Sequence, residues 1–501
     1  MNEPTANEIV LDNMSQKFPM WKHQTEGVLR AVEQDSFAFF FEAGTGKTLT
    51  ALNTYRLRCF RDDKSLRLLI FCPLSVVRNW GAEIERTTSI SDGKVLLLDR
   101  GSVNRRVTEL HQWIERGHEG GVVVTNYDVL VNLDMVNALN ISFMPDMIIF
   151  DESHRVKNHK SKRSFSAQHL AKSAKHKLLL TGTPSTQDER DYFGQFLILD
   201  GGETFGDNMY AFYKKYFSRK ILPFEVTTKS GARVNPSKWT MSPQKREEFS
   251  SLVSKKSMYV SKDECLDLPP LLQSIKYVGM SESQAEVYRD IESTALAYLQ
   301  GEVVETPFAL TKTLRLLQVC SGHLPLPDGR MHVFSDNLKK LALEDLLLEF
   351  LSDPSRKVLV WACFRQNYSE IMDVCHKIKV RYVELHGATP QAERESNIEE
   401  FNAHNGPARV LIGHPASGGI GVNLTASDTS IYYSRDFSLE NRLQSEARNY
   451  RGGSEVHKSV THVDLVCSDT IEGDLVRLVQ RKEKITTNIL KALLESNKGD
   501  K

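Results

Sequence analysis

Phe37-Ala38-Phe39-Phe40-Phe41 runs directly into Glu42-Ala43-Gly44-Thr45-Gly46-Lys47-Thr48, and a helix-forming stretch opens at Leu49. An unbroken apolar run of this length predicts a strand buried on both faces, as in a parallel sheet. Strand, glycine loop and helix start are the setting of a phosphate loop. Gly44 and Gly46 would let backbone N–H groups close around phosphate oxygens, and the helix N-terminus adds a favourable partial charge. In that reading Thr45 lies within the loop, Lys47 reaches the β- and γ-phosphates of ATP, and the Thr48 hydroxyl binds Mg2+. The full pattern has a glycine where this chain has Phe41.

Working outward, further short apolar runs occur at Leu68 to Cys72, Val95 to Leu98, Gly121 to Thr125, Met147 to Phe150 and Lys177 to Leu180. A second set lies at Val358 to Trp361, Arg381 to Leu385, Arg409 to Ile412, Ser430 to Ser434 and His462 to Val466. The spacing leaves room for crossover helices, so an α/β fold with two parallel-sheet lobes is expected. The stretch between is rich in helix formers, aromatics and charge, and is broken at Leu268-Pro269-Pro270. The expected division is residues 1–200 for the first lobe, 201–334 for helical insertions and a connector, and 335–501 for the second lobe.

A phosphate loop needs an acidic partner. Met147-Ile148-Ile149-Phe150 ends in Asp151-Glu152-Ser153-His154, about 100 residues after the loop. Carboxylates at the C-terminal end of a buried strand sit beside the phosphates in open α/β sheets. Asp151 is expected to hold Mg2+, directly or through water, and Glu152 to polarise the attacking water. His154, next to the acid pair, is assigned a coupling role.

These residues carry a resemblance. Glu42 to Thr48, Asp151 to His154 and Thr181-Gly182-Thr183-Pro184 together resemble a superfamily 2 helicase core with two RecA-like lobes. More narrowly, Asp151 to Ser164 resembles the Asp-Glu-Ala-His box and the Arg-Ile-Lys-Asn segment of Swi/Snf-like DNA translocases, with Ser153 and Val156 as departures. Cys72-Pro73-Leu74-Ser75 with Asn79-Trp80, and Thr125-Asn126-Tyr127, are similar to two further motifs. In the second lobe, Leu385-His386-Gly387, Gly418 to Thr425 and Gln444 to Arg451 resemble later motifs, with Ala447 replacing a glycine.

The resemblance implies roles. Arg448 and Arg451, whose spacing of three would allow both to lie on one side of a helix, would act as arginine fingers on the γ-phosphoryl group. Such fingers contribute about 10³–10⁵ in rate in other P-loop enzymes. If they come from the second lobe, hydrolysis requires closure. Gly421 would touch nucleotide, Gln444 would couple, and Gln24 would read adenine through its amide. Ser75, Thr125, Asn126, Lys157 and Thr425 would touch the nucleic-acid backbone. Arg155, Lys157, Lys160, Lys162 and Arg163 form a basic cluster suited to sequence-independent phosphate contact.

Composition adds bounds. Hydrophobic residues are 40% and charged residues 26%, an ordinary globular balance. No apolar run approaches the ~20 residues needed to span a bilayer, and the start does not read as a signal peptide. Seven scattered cysteines lack the spacing of a zinc or redox motif. The formal net charge is zero, so nucleic-acid binding would need a local basic groove. The expected protein is a monomeric, ATP- and Mg2+-dependent motor on duplex or branched DNA. Its expected setting is replication, recombination or repair in the cytoplasm of a bacterium or virus-infected host, not chromatin remodelling. Two other readings stay open: a strand-separating DNA or RNA helicase, and a non-motor P-loop switch gating a partner.

Overall fold

The structure, a computed structural model, describes residues 7, 10, 11, 17–117, 120–185, 189–221, 226–227, 233–235, 237–265, 267–301, 306–416, 422–477 and 479–480. Two compact units form. The first is made chiefly of Met1–Ser218 and Thr240–Leu266, the second of Arg219–Trp239 and Asp267–Glu483.

The first unit is built on β1 (Ser36–Phe41), β2 (Leu68–Cys72), β3 (Val95–Leu98), β4 (Val122–Asn126), β5 (Met147–Asp151), β6 (His176–Leu180) and β7 (Ser257–Val260). They pair in the order β7-β1-β6-β5-β2-β4-β3, every pairing parallel. Every residue of β1, β2, β4 and β5 is buried. That is why their sequences read as continuous apolar runs rather than alternating ones. Helix α1 (Lys22–Val32) precedes β1, and α2 (Lys47–Arg61) follows it directly after the glycine loop. Because β1, β6 and β5 are neighbours, the loops leaving their C-terminal ends converge. The register sets Phe39 beside Leu180, and Leu180 beside Asp151.

The second unit holds β8 (Leu271–Val278), β9 (Val358–Trp361), β10 (Tyr382–Leu385), β11 (Val410–Gly413), β12 (Thr429–Tyr432) and β13 (Val460–Cys467). Their order is β8-β13-β12-β9-β11-β10, again all parallel. Alternate residues feed two separate cores. Val358, Val360, Val410, Ile412 and Ile431 pack on one face with Leu343, Leu347 and Ile371. Leu359, Trp361, Leu411 and Tyr432 pack on the other with Phe401 and Leu424.

The middle of the chain differs from the expected block of helical insertions. Strand β7 extends the first sheet beside β1, and β8 opens the second sheet beside β13, so the units part near residue 266. β7 is four residues long inside a charged stretch, and β8 is an edge strand with Leu272, Gln273 and Ser274 exposed. Neither shows the unbroken apolar run of a central strand. Among the described residues no helix is long and apolar enough to cross a membrane.

Candidate nucleotide site

The glycine loop has the backbone its sequence requires. Gly44 and Gly46 have φ of 90° and 85°, a region L side chains rarely adopt. Gly46 caps α2, whose first turn begins at Lys47 and Thr48. The unsatisfied N–H groups of that turn form an anion site. Thr45 is buried, and its hydroxyl donates to Glu42 O at 2.8 Å. The Lys47 ammonium donates to Phe41 O at 2.8 Å and Glu42 O at 3.3 Å, which places it across the strand end that a phosphate chain would approach. Thr48 is half-buried.

Gln24 closes the loop from α1. Its carboxamide donates to Thr45 O at 3.3 Å and accepts from Trp21 N at 2.9 Å, and the side chain is buried. The neighbouring His23 Nε2 lies 2.9 Å from Thr45 O, and burial lowers the pKa of this imidazole. Glu42 faces away from the loop. Its carboxylate accepts from Tyr259 Oη at 2.8 Å and Lys262 N at 3.0 Å, fastening β7 to the start of the phosphate loop.

The acid box lies at the end of β5. Asp151 Oδ2 accepts from Trp80 Nε1 at 2.9 Å, and Oδ1 accepts from the Glu152 N–H at 3.0 Å. Tyr127 Oη donates to the Asp151 carbonyl at 2.6 Å. Burial, then the adjacent Glu152 charge, push the Asp151 carboxyl up to about 6, against the Trp80 hydrogen bond and the Lys47 charge. Glu152 is buried with φ 53° and ψ 54°, an uncommon backbone for a non-glycine residue and one that clusters at functional sites. Thr181 Oγ1 donates to Glu152 Oε2 at 3.3 Å, and His154 Nδ1 lies 3.2 Å from the same hydroxyl and 3.4 Å from Glu152 Oε2. The Thr-Gly-Thr-Pro segment is thereby joined to the acid box by a buried three-residue network. Ser153 is fully buried, and its hydroxyl donates to Gln195 Oε1 at 2.7 Å.

The expected nucleic-acid residues are placed differently from one another. Ser75 is exposed. Thr125 and Asn126 are buried at the end of β4. The Thr125 hydroxyl donates to Leu98 O, and the Asn126 amide is held between Arg106 at 2.8 Å and Asp128 at 2.9 Å. These two side chains are committed to the lobe's own packing. Lys157 is ion-paired to Asp191 at 2.8 Å and Arg163 to Asp128 at 2.6 Å, while Arg155, Lys160 and Lys162 are exposed.

In the second unit Arg448 and Arg451 do not share a helix face, because the helix Leu439–Glu446 ends before both of them. Arg448 is buried, with Nη1 3.4 Å from Val422 O. Arg451 is partly buried, and burial lowers the pKa of its guanidinium. Gln444 donates to Glu440 at 3.1 Å, and the Thr425 carbonyl meets His457 Nε2 at 2.7 Å. Gly421 lies outside the described residues. Sequence reasoning gave no role to Trp80, Tyr127, Gln195 or the Glu42–Tyr259 contact. Trp80 and Tyr127 carried a signal only as members of the Asn79-Trp80 and Thr125-Asn126-Tyr127 motifs, in which neither had an assigned task.

Comparison with known proteins matches residues 23–323 to the SNF2-related domain and residues 338–453 to the helicase conserved C-terminal domain. The chain is 27% identical to mouse (Mus musculus) chromodomain-helicase-DNA-binding protein 1-like, over 93% of this chain and 50% of that protein. It is 26% identical to the human (Homo sapiens) SWI/SNF-related matrix-associated actin-dependent regulator of chromatin subfamily A member 1, over 90% of this chain and 41% of that protein. It thus spans half or less of the length of these relatives. A solved structure of the Sulfolobus solfataricus SWI2/SNF2 ATPase core in complex with dsDNA is similar at 20% identity and a TM-score of 0.42, covering 96% of each chain. With the SNF2-related domain spanning more than half of its length, the chain belongs to the SNF2-related family of helicase-type ATPases.

Proposed function

We propose that this chain hydrolyses ATP and couples hydrolysis to movement along duplex or branched DNA. The observation that carries the proposal is the buried Glu152–Thr181–His154 network beside the phosphate loop. Lys47 and the α2 N-terminus neutralise phosphate charge, Glu152 takes a proton from the attacking water, and Thr181 reports the state of Glu152 to the loop that follows β6. Thr48 and Asp151 offer the oxygen donors that a hard divalent ion takes, and Mg2+ held there would neutralise charge building on the phosphates. Arg448 and Arg451 are assigned to the γ-phosphoryl group, Gln444 to coupling, and Gln24 to adenine alongside its loop contacts.

Exposed Arg155, Lys160 and Lys162, with Ser75 and Thr425, are the groups assigned to the DNA backbone. A grip on phosphates serves forks and junctions as well as plain duplex. The proposed setting is therefore replication, recombination or repair, by a motor working as a monomer. The proposed compartment is the cytoplasm, in keeping with seven cysteines scattered through the sequence without a paired spacing. The test is ATPase rate with duplex, junction and single-stranded DNA and with RNA, beside a strand-displacement assay. Duplex or junction DNA is expected to stimulate most, and affinity to fall with salt by about 0.9 log units per log unit of salt for each phosphate neutralised. Stimulation by RNA alone would contradict the DNA assignment. Stimulation by single strands with efficient displacement would favour a strand-separating helicase.

A further inference from the structure

Asp151 is fixed by three donors, none of them charged. The Trp80 indole N–H meets Oδ2 at 2.9 Å, the Glu152 N–H meets Oδ1 at 3.0 Å, and the Tyr127 hydroxyl meets the main-chain carbonyl at 2.6 Å. Two of them are distant in sequence and come from segments that follow other strands. Trp80 lies on the helix Val77–Thr87 after β2, and Tyr127 follows β4. Strands β2 and β5 are neighbours, which brings the indole to the acid box. Trp80 is 1% exposed and Tyr127 2%. A buried indole N–H needs an acceptor, and here the acceptor is a carboxylate rather than a backbone carbonyl.

A carboxylate side chain on its own can rotate about χ2. With Oδ2 held by Trp80 and Oδ1 by the next residue's N–H, the Asp151 carboxylate plane has one orientation. Groups that hold a metal ligand in this way change metal affinity by about 10–100-fold when removed. We propose that Trp80 is a positioning residue for the Mg2+-binding carboxylate, acting through its indole N–H and not only through its packing. The inference rests on the reading of Asp151 as a metal ligand.

The test uses the full chain and no turnover. Trp80→Phe keeps a buried ring and removes the donor, and incorporation of 3-benzothienylalanine at position 80 replaces only the N–H by sulfur. ADP binding is measured calorimetrically across a Mg2+ titration and again in EDTA, with thermal unfolding beside it. The Mg2+ concentration giving half of the gain in ADP affinity is expected to rise by about 10–100-fold, with ADP affinity in EDTA unchanged. If Trp80→Phe unfolds the first unit, the benzothienylalanine chain supplies the same reading. An unchanged Mg2+ requirement in a folded variant overturns the role of Trp80. Asp151→Asn separates the two levels. It should abolish the Mg2+-dependent gain. If the gain survives in Asp151→Asn, the metal reading fails. If Asp151→Asn loses it while the Trp80 variants keep the wild-type requirement, only the Trp80 inference fails.

Discussion

Ser153 Oγ donates to Gln195 Oε1 at 2.7 Å, and both side chains are sealed from solvent. Gln195 Nε2 in turn donates to Pro184 O at 2.6 Å and Asp191 O at 3.1 Å. The residue after Glu152 is thus tied, through one carboxamide, to the Thr-Gly-Thr-Pro loop whose Thr181 bonds Glu152 itself. The serine that departs from the family's Asp-Glu-Ala-His box has a partner waiting for its hydroxyl.

Ser153→Ala leaves the Gln195 oxygen buried without its donor, which should cost about 1–3 kcal/mol in urea unfolding of the first unit. Gln195→Leu should cost more, because the Pro184 and Asp191 carbonyls lose a donor as well. The double variant should fall short of the sum of the two losses, since the pair shares one bond. Simple additivity would show that the contact contributes nothing.

Gly46 cannot be replaced cheaply. A Cβ there would lie 1.9 Å from Gln24 Nε2, at φ +85°. The left-handed backbone alone costs a non-glycine residue about 1–2 kcal/mol. Displacing Gln24 adds to that, so Gly46→Ala should weaken ADP binding by about tenfold or more. Gln24→Ala in the same chain removes the clash and leaves the backbone strain, so the thermal stability lost in Gly46→Ala should return only in part. Full-strength binding by Gly46→Ala would contradict the loop geometry.

Acid should loosen the second unit through Glu446. Burial alone would raise this carboxyl. The Arg442 guanidinium at 2.6 Å, with His462, outweighs it and holds the carboxyl down at about 2. A depressed carboxyl stabilises the fold above its unfolded value, and that contribution disappears as pH falls through the folded one. Urea midpoints should therefore drop between about pH 4.5 and pH 2. Glu446→Gln should start lower and decline less steeply over the same window. Parallel wild-type and variant profiles would remove Glu446 from the acid response.

Arg448→Ala and Arg451→Ala should each reduce DNA-stimulated kcat far more than ATP affinity, because a finger acts on charge that develops in the reacting state. Nucleotide titration and steady-state kinetics separate the two. Loss of affinity with kcat intact would assign the arginines to ground-state binding.

Much of this was legible because the physics is local. Phe37 to Phe41, Leu68 to Cys72 and Met147 to Phe150 are buried on both faces, so their sequences carry no alternation, and glycine-dependent backbone can be read from Gly44 and Gly46 directly. β8 was not legible, since Leu272, Gln273 and Ser274 face solvent at a sheet edge. The partners of the acid box had no local signature either. Trp80 and Asp151 meet only because β2 and β5 are adjacent, and Gln195 reaches Ser153 across 42 positions. Thr125 and Asn126 show the converse. Residue type and motif suggested a DNA contact, and burial at the end of β4 commits both side chains to the lobe.

If ATP is hydrolysed at the phosphate loop and acid box and duplex DNA drives the rate, turnover depends on Lys47 and Glu152. Steady-state ATPase of the wild type, Lys47→Ala and Glu152→Gln, each with and without duplex DNA, tests it most directly. Expected are DNA-stimulated turnover in the wild type, none in Lys47→Ala, and in Glu152→Gln retained ATP binding with turnover reduced by about 100-fold or more. Near-wild-type, DNA-stimulated hydrolysis by Glu152→Gln would contradict it.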